Sequence, residues 1–419
     1  MNILRRHIPA FAILSAAAVL IVPVSTLEPL WLTAVAALTT LAAIIEHASR
    51  GAWPQRQKTL TTLMAALVIW GAASIGWSIG PDRSISQAFE LLLFALGATI
   101  LVSLALGIDP AGRRQIETFL MIGFVGGLLF VLFELATDGI VHSALNGHFG
   151  PDGTRLTRAM NLFELNRAAS VFSLVLWVTI IPVWRRFGWA AATTLVVITC
   201  LGISQLQPGA PVFAVIAGAF IFALAWFLPR MVLTILLISI VMGLAMIPFL
   251  HALHPVLTDM IRSVGLSEFS LHHRMAIWEF ASNQAVAHPL LGWGLDSSRL
   301  IGEGQLVMVD DAPNIGFRNV DILPLHPHNA LLQAWLELGA VGALILAALF
   351  AASAFQVRQC VHDRLDRAAA YAAYTAAFVT AQLSFGIWQG WWISTLALVA
   401  VLLTALIVRP EDSNAVGSA

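Results

Sequence analysis

The chain has 419 residues, of which 59% are hydrophobic and only 11% charged, whereas ordinary soluble domains are roughly 25% charged and 45–50% apolar. That composition excludes a soluble globular enzyme. A formal net charge of -1, with Lys58 the only lysine among 22 basic residues, excludes a nucleic-acid binder that works by bulk electrostatics.

Apolar runs of about 18 to 25 residues recur along the chain, each long enough to cross a hydrocarbon core of about 30 Å. They predict an all-α polytopic bundle of about twelve membrane helices. The spans lie at about 8–24, 29–46, 60–77, 88–106, 116–136, 168–184, 188–204, 210–227, 231–250, 329–355, 369–388 and 391–408. The first run ends in Ile21-Val-Pro-Val-Ser-Thr-Leu-Glu28 without an Ala-x-Ala site, so it reads as an uncleaved helix. Residues 1–250 would hold nine helices, with an outer connection at about 137–167. A large periplasmic loop at 251–328, three helices at 329–408 and a cytoplasmic tail at 409–419 complete the plan.

Sidedness follows from Arg and Lys, which cytoplasmic segments retain during insertion. With both termini inside, every short inner loop is basic and 14 of the 22 basic residues are internal. Those left outside are Arg83, then Arg155, Arg158 and Arg167 in one connection, and Arg262, Arg274, Arg299 and Arg318 in the other. Nine of the twelve histidines also fall in the two long outer connections. Polar chemistry therefore concentrates on the outer side, in loops far longer than a helix link requires.

The first outer connection ends in Arg155-Leu-Thr-Arg158 and Asn166-Arg167. Three arginines there suit an anion such as phosphate, since a guanidinium is always charged and binds two oxygens together; pairing to Asp152, Glu164 and lipid headgroups is the alternative. In the second connection, Ser270-Leu-His-His-Arg-Met-Ala-Ile-Trp-Glu-Phe280, continuing to Val286, predicts an amphipathic helix with Leu271, Met275, Trp278 and Ala285 or Val286 on its apolar face, stopped by His288-Pro289. Arg274 and Trp278, one turn apart, share a side of it. The alternative is an interfacial helix with a snorkelling arginine.

The chain re-enters the membrane through Leu325-His-Pro-His-Asn-Ala-Leu-Leu-Gln-Ala-Trp-Leu-Glu-Leu-Gly339. Asn329, Gln333 and Glu337 follow at i, i+4 and i+8, which makes a polar stripe on an apolar helix. A carboxylate at that depth needs a wet cavity or a cation, and an outer-face arginine is its expected partner. His326 and His328 stand above the stripe, where an imidazole can take a proton from a hydroxyl near neutral pH; a helix cap with two solvated histidines is the alternative. His272-His273, His326-x-His328 and Asp310-Asp311 lack the spacing of a zinc motif, and there is no phosphate-binding Gly-rich loop or nucleophile elbow. No metal or cofactor is expected.

Three elements together, Arg274-x-x-x-Trp278, His288-Pro-Leu-Leu-Gly-Trp-Gly-Leu295 and His326-x-His-Asn329 leading to Gln333 and Glu337-Leu-Gly339, resemble the O-antigen ligase family of bacterial envelope proteins, which includes related polysaccharide polymerases. Asn166-Arg167 is also like the family. Ser204-Gln-Leu-Gln-Pro-Gly209 departs from it: where many members show a Ser-Arg element, one arginine contact is either absent here or supplied elsewhere.

The resemblance implies a metal-independent, multi-pass glycosyltransferase of the inner membrane with its active site facing the periplasm. It implies an undecaprenyl-diphosphate-linked glycan as donor and a lipid A-core as acceptor, or a carrier-linked repeat if the protein is a polymerase. The site it implies has His328 as base and Arg274 stabilising the diphosphate. Arg167, His326, Arg158, Asn329, Gln333, Glu337 and Trp278 would bind substrate. A transporter would instead place ionisable groups near the midplane, and a scaffold would release no undecaprenyl diphosphate.

Overall fold

A computed structural model describes residues 9–51, 57–145, 162, 165–206, 209–263, 269–310 and 317–408. Among the described residues nine helices precede the large loop: α1 (Ala10–Leu27), α2 (Leu32–Arg50), α3 (Lys58–Ala73), α4 (Pro81–Leu106), α5 (Pro110–Ala136), the short α6 (Ile140–Leu145), α7 (Leu165–Ser204), α8 (Gly209–Phe227) and α9 (Pro229–Met246). The loop carries α10 (Leu250–Ser263), α11 (Phe269–Ala287) and an antiparallel hairpin of β1 (Leu306–Asp310) and β2 (Phe317–Asp321), with Met308 opposite Asn319. Then come α12 (Ala330–Cys360), α13 (Arg364–Leu383) and α14 (Gly390–Ile407).

Among the described residues ten helices are long and apolar enough to span a membrane. The expected count of about twelve differs from these ten at two places. α7 is two segments that meet at Gly188, whose φ of 84° breaks the helix. α13, at the place of the expected 369–388 span, is a 20-residue helix whose Arg364, Asp366, Arg367 and Gln382 keep its mean hydropathy below that of the other ten. Its small side chains let it pack along α8. The same logic joins α1 to α5: a Cβ at Gly123 would lie 2.4 Å from the Val19 carbonyl oxygen, and one at Gly127 2.4 Å from Val22. A Gly-x-x-x-Gly face lets the backbones meet where lipid offers no hydrophobic drive. Helix starts are marked by proline in the first turn of α4, α5 and α9 and by side-chain caps from Asp109, Asn329 and Asp363.

α11 ends at Ala287, as the following His-Pro predicts. Its buried face overlaps the expected one in part: Met275 and Ala285, both expected there, are in the core, Ile277 and Ala281 join them, and Leu271 and Trp278 are only partly buried. The helix therefore packs on the bundle. The hairpin had no alternating pattern to announce it. Cys200 and Cys360 are both free.

The feature that positions the site is a second break, in α12 at Gly339, where φ is 65°. It frees main-chain groups at membrane depth, which need partners. The segment His288–Leu295 supplies them: Trp293 N–H donates to the Leu336 carbonyl at 3.0 Å, Gly294 N–H to Glu337 at 2.8 Å, and Ala340 N–H donates back to Pro289 at 2.8 Å. Trp70 Nε1 donates to the Leu338 carbonyl at 2.9 Å. The fit requires glycine on both sides. A Cβ at Gly292 would lie 2.5 Å from the Glu337 carbonyl, and one at Gly339 2.0 Å from the Leu290 oxygen.

Gly339→Ala therefore combines a left-handed backbone with an overlap against main chain. We expect a loss of at least ~2 kcal/mol, read as a lower melting temperature and loss of monodisperse protein in detergent. Wild-type melting would show that the break is not glycine-dependent.

Candidate active site

Glu337 is completely buried one turn below Gln333. Its carboxyl accepts four hydrogen bonds: Ser298 Oγ at 2.5 Å and Gln333 Nε2 at 2.9 Å on Oε1, Asp296 N–H at 2.6 Å and Trp388 Nε1 at 2.6 Å on Oε2. The expected arginine partner is not among them. Neutral donors from three segments stand in its place, which is how a buried carboxylate is held without a direct counter-ion. Gln333 Oε1 in turn accepts from Ile387 N–H at 3.0 Å. The polar stripe is thus a clamp that joins the 296–298 turn to the 387–388 loop, with Asn329 serving as helix cap to Leu332 N–H.

The clamp sets an outer layer of cations. Asp296, held at a left-handed φ of 56°, offers its carboxylate to Arg83 at 3.0 Å and to Arg299 at 3.6 Å. Arg83 arrives through the turn before α4, which is sewn to the same loop: Ile79 N–H donates to the Trp293 carbonyl at 3.1 Å and Ser84 Oγ to Leu295 at 2.6 Å.

The strap 326–329 crosses above. Trp278 Nε1 donates to the Pro327 carbonyl at 2.8 Å, which docks α11, and with it Arg274, on the strap. The two imidazoles lie with ring centres 4.3 Å apart. His326 Nδ1 accepts from His328 N–H at 3.2 Å, and the ring packs on Gly386, where a Cβ would be 2.9 Å from it. His328 sits at a left-handed φ of 54°, a strained conformation for a residue with a side chain. Its Nδ1 meets the Ser384 carbonyl at 2.5 Å. A carbonyl can only accept, so Nδ1 carries the proton and Nε2 keeps a lone pair.

Burial holds both imidazoles neutral. It is the main cause that lowers His326 to about 3, with His328, Arg299 and Arg274 adding to it. It also lowers His328 to about 4, against the raising effect of the Ser384 carbonyl and with help from Arg274 and His273. Arg274, itself largely desolvated, is pushed below its ordinary value by burial.

Comparison with known proteins adds to this geometry. Residues 209–347 match the family model described as O-antigen ligase. The resemblance read from the residues is borne out. Proteins named as candidate polysaccharide ligases are similar over most of the chain. The one from Rickettsia felis is 28% identical over 349 residues, covering 82% of this chain and 79% of its own. Those from Rickettsia conorii and Rickettsia prowazekii are 28% identical over 306 and 304 residues, 71% of this chain in each case and 68% and 69% of theirs. The match to the O-antigen ligase family starts with α8 and ends within α12, so it contains the loop, the strap and Glu337.

A cavity of about 1200 Å³ opens beside the strap in this O-antigen ligase-like chain, lined by Arg83, Arg167, Arg299, His326, Gln333 and Trp388 among others. It brings together three of the substrate-binding residues expected from sequence, Arg167, His326 and Gln333. The two expected catalytic residues, His328 and Arg274, are not part of that lining: the His328 ring lies 4.3 Å from that of His326, Arg274 acts electrostatically on both imidazoles, and Trp278 and Asn329 hold the strap and helix in place. Arg158 lies outside the described residues. Sequence reasoning missed Arg83, Arg299 and Asp296, although the lone outer Arg83 beside Gly80-Pro81 was a departure from positive-inside statistics that pointed to it. Among the described residues no three His, Cys, Asp or Glu side chains converge as a metal site.

Proposed function

We propose that this protein transfers a glycan from undecaprenyl diphosphate to a lipid A-core acceptor at the periplasmic face of the bacterial inner membrane. The observation that carries the reading is His328, a neutral imidazole whose Nδ1 proton is fixed by Ser384 so that its lone pair lies on Nε2, next to His326 on the wall of a cavity with three arginines and under the electrostatic influence of Arg274. The acceptor hydroxyl oxygen attacks the anomeric carbon, the bond from that carbon to the phosphate oxygen breaks, and Nε2 takes the hydroxyl proton. Direct displacement inverts the anomeric centre. Negative charge grows on the departing undecaprenyl diphosphate, and Arg274 and Arg167 stabilise it as preorganised cations in a poorly hydrated site. Neither cleavage nor attack calls for a metal or nucleotide.

The family match to residues 209–347 fits either activity, and the names that the similar proteins carry support the ligase reading over polymerisation. The test is reconstitution: purified protein in detergent, carrier-linked glycan and lipid A-core should yield glycosylated acceptor and free undecaprenyl diphosphate. Extension of carrier-linked chains instead would identify a polymerase, and no release of undecaprenyl diphosphate would end the transferase reading. Arg274→Lys keeps the charge and loses the two-pronged geometry. It should lower kcat on the order of 10²-fold; an unchanged kcat would remove Arg274 from the leaving-group role.

A further inference from the structure

Two hydrogen-bond donors close on the His326 ring, and a neutral imidazole has room for one. Its Nδ1 faces the His328 N–H at 3.2 Å, and its Nε2 faces the side-chain amide of Gln389 at 3.4 Å. The orientation of that amide is fixed from its other end. The Trp391 indole N–H, which can only donate, meets Gln389 Oε1 at 3.0 Å, so the NH2 group is the end that points to the histidine. Gln389 is the N-cap residue of α14, yet its side chain makes no bond to that helix end. Its oxygen is committed to the indole instead.

A neutral imidazole offers one lone pair and one N–H, and an imidazolium offers no lone pair at all. The shorter of the two contacts is to a main-chain N–H whose position the strap sets, so the lone pair of His326 lies on Nδ1 and its proton on Nε2. His326 is therefore the opposite tautomer to His328, whose proton is on Nδ1. This leaves His326 Nε2–H and the Gln389 NH2 group as donors side by side, 3.4 Å apart, which repel until an oxygen accepts from both. Both side chains line the cavity, and an oxygen about 2.9 Å from each closes a triangle on that edge.

The surroundings favour an anionic oxygen. Arg299 and Arg274 both oppose a positive charge on the His326 ring, so the potential there is positive, and Arg83, Arg167 and Arg299 line the same cavity. The attacking hydroxyl is a poorer occupant, because a donor on its oxygen ties up a lone pair that must attack while His328 takes its proton. We propose that His326 Nε2–H and the Gln389 carboxamide form a two-donor notch for one phosphate oxygen of the departing undecaprenyl diphosphate. The notch deepens the transferase reading and rests on it. His326 gives up no proton: its hydrogen bond strengthens as charge grows on the leaving group, and Trp391 is the positioning residue that keeps the Gln389 amide turned.

The test uses nitrogen NMR on the full-length protein in detergent with isotope-labelled histidine rings. The His326 signals, assigned by their loss in His326→Gln, should show a bare Nδ1 and a protonated Nε2, and those of His328 the reverse. Adding undecaprenyl diphosphate should shift the His326 Nε2–H, whereas the glycan freed from its carrier should not. Gln389→Glu separates ligand binding from architecture. It keeps an oxygen for Trp391 and gives the His326 N–H an acceptor, so the protein should melt no lower than wild type. The same change removes the amide donor and sets a carboxylate against the phosphate, so undecaprenyl diphosphate should bind at least ~10-fold more weakly and kcat should fall at least ~10²-fold. A proton on Nδ1 of His326, a shift caused by the free glycan alone, or a Gln389→Glu protein that binds and turns over like wild type each overturns the notch. Wild-type protein that binds the diphosphate through His326 and makes no product keeps the notch and rejects the transferase, whereas active protein whose His326 ignores the diphosphate does the reverse.

Discussion

Replacing His328 with alanine is expected to lower glycan transfer by 10²- to 10⁴-fold, the usual contribution of a positioned general base, while the protein still purifies as a folded species. Because His328 occupies left-handed backbone, His328→Asn is the better companion variant: asparagine tolerates that conformation and has no basic nitrogen. Both should be inactive, and only the alanine should lose some stability. Transfer at the wild-type rate in either would remove His328 from the base role.

The pH dependence gives a second reading of the same residue. In the free protein burial above all, with Arg274 and His273, holds the imidazole at about 4. The base form is therefore present at neutral pH and is lost only as pH falls through that value. kcat/KM should stay level between about pH 6 and 8 and decline toward about pH 4. A bound diphosphate places negative charge beside the ring and raises its pKa, so the acid limb of kcat should lie at higher pH than that of kcat/KM. That rise brings the imidazole toward the working pH, where proton transfer is most effective. Coincident limbs would contradict the arrangement.

The second large effect is expected at Glu337. Its two oxygens accept from four donors in a site with no solvent access. In Glu337→Gln one oxygen becomes an NH2 group that can accept nothing. If it takes the place of Oε2 it faces the Asp296 N–H and the Trp388 indole, both of which can only donate. If it takes the place of Oε1 it faces Gln333 Nε2, whose own amide oxygen is already engaged by Ile387. Buried donors left unmatched cost about 1–3 kcal/mol each. The isosteric change should therefore lower the melting temperature in detergent and loosen Asp296, through which Arg83 and Arg299 are placed. A Gln variant that melts and turns over like wild type would show that the four-fold acceptor is dispensable.

How much of this was legible in the sequence differs by residue. The membrane class and the helices came through because the apolar runs that cross lipid are long and leave few charges inside. The Gly188 break was marked by Arg185-Arg186 just before it, which read as an inner turn. α13 was legible as an apolar run, but its start was placed about five residues late because Arg364, Asp366 and Arg367 open the helix. The stripe Asn329, Gln333 and Glu337 was visible as periodicity, but its partners were not. A carboxylate at depth says only that something must satisfy it, and here that is a backbone N–H, a serine and an indole from distant segments. The same holds for Arg83 and Asp296, 213 positions apart in sequence, and for Ser384, whose carbonyl fixes the His328 tautomer. A main-chain oxygen has no sequence signature. The hairpin β1–β2 lacks an alternating pattern because it is a short, largely exposed ribbon on a loop, with Leu306 and Met308 both outward.

The docking of His288–Leu295 into the broken α12 bears on how substrates gain access. Lids that swing need hinges whose peptide groups can be traded for water at little cost. Here the peptides of Trp293, Gly294 and Ala340 answer carbonyls that lipid could not solvate, and parting them would leave several such groups bare at a few kcal/mol apiece. The segment behaves as a keystone rather than a gate. On the proposed transferase reading, lipid substrates would then enter and leave sideways within the leaflet while the frame around the cavity stays in place.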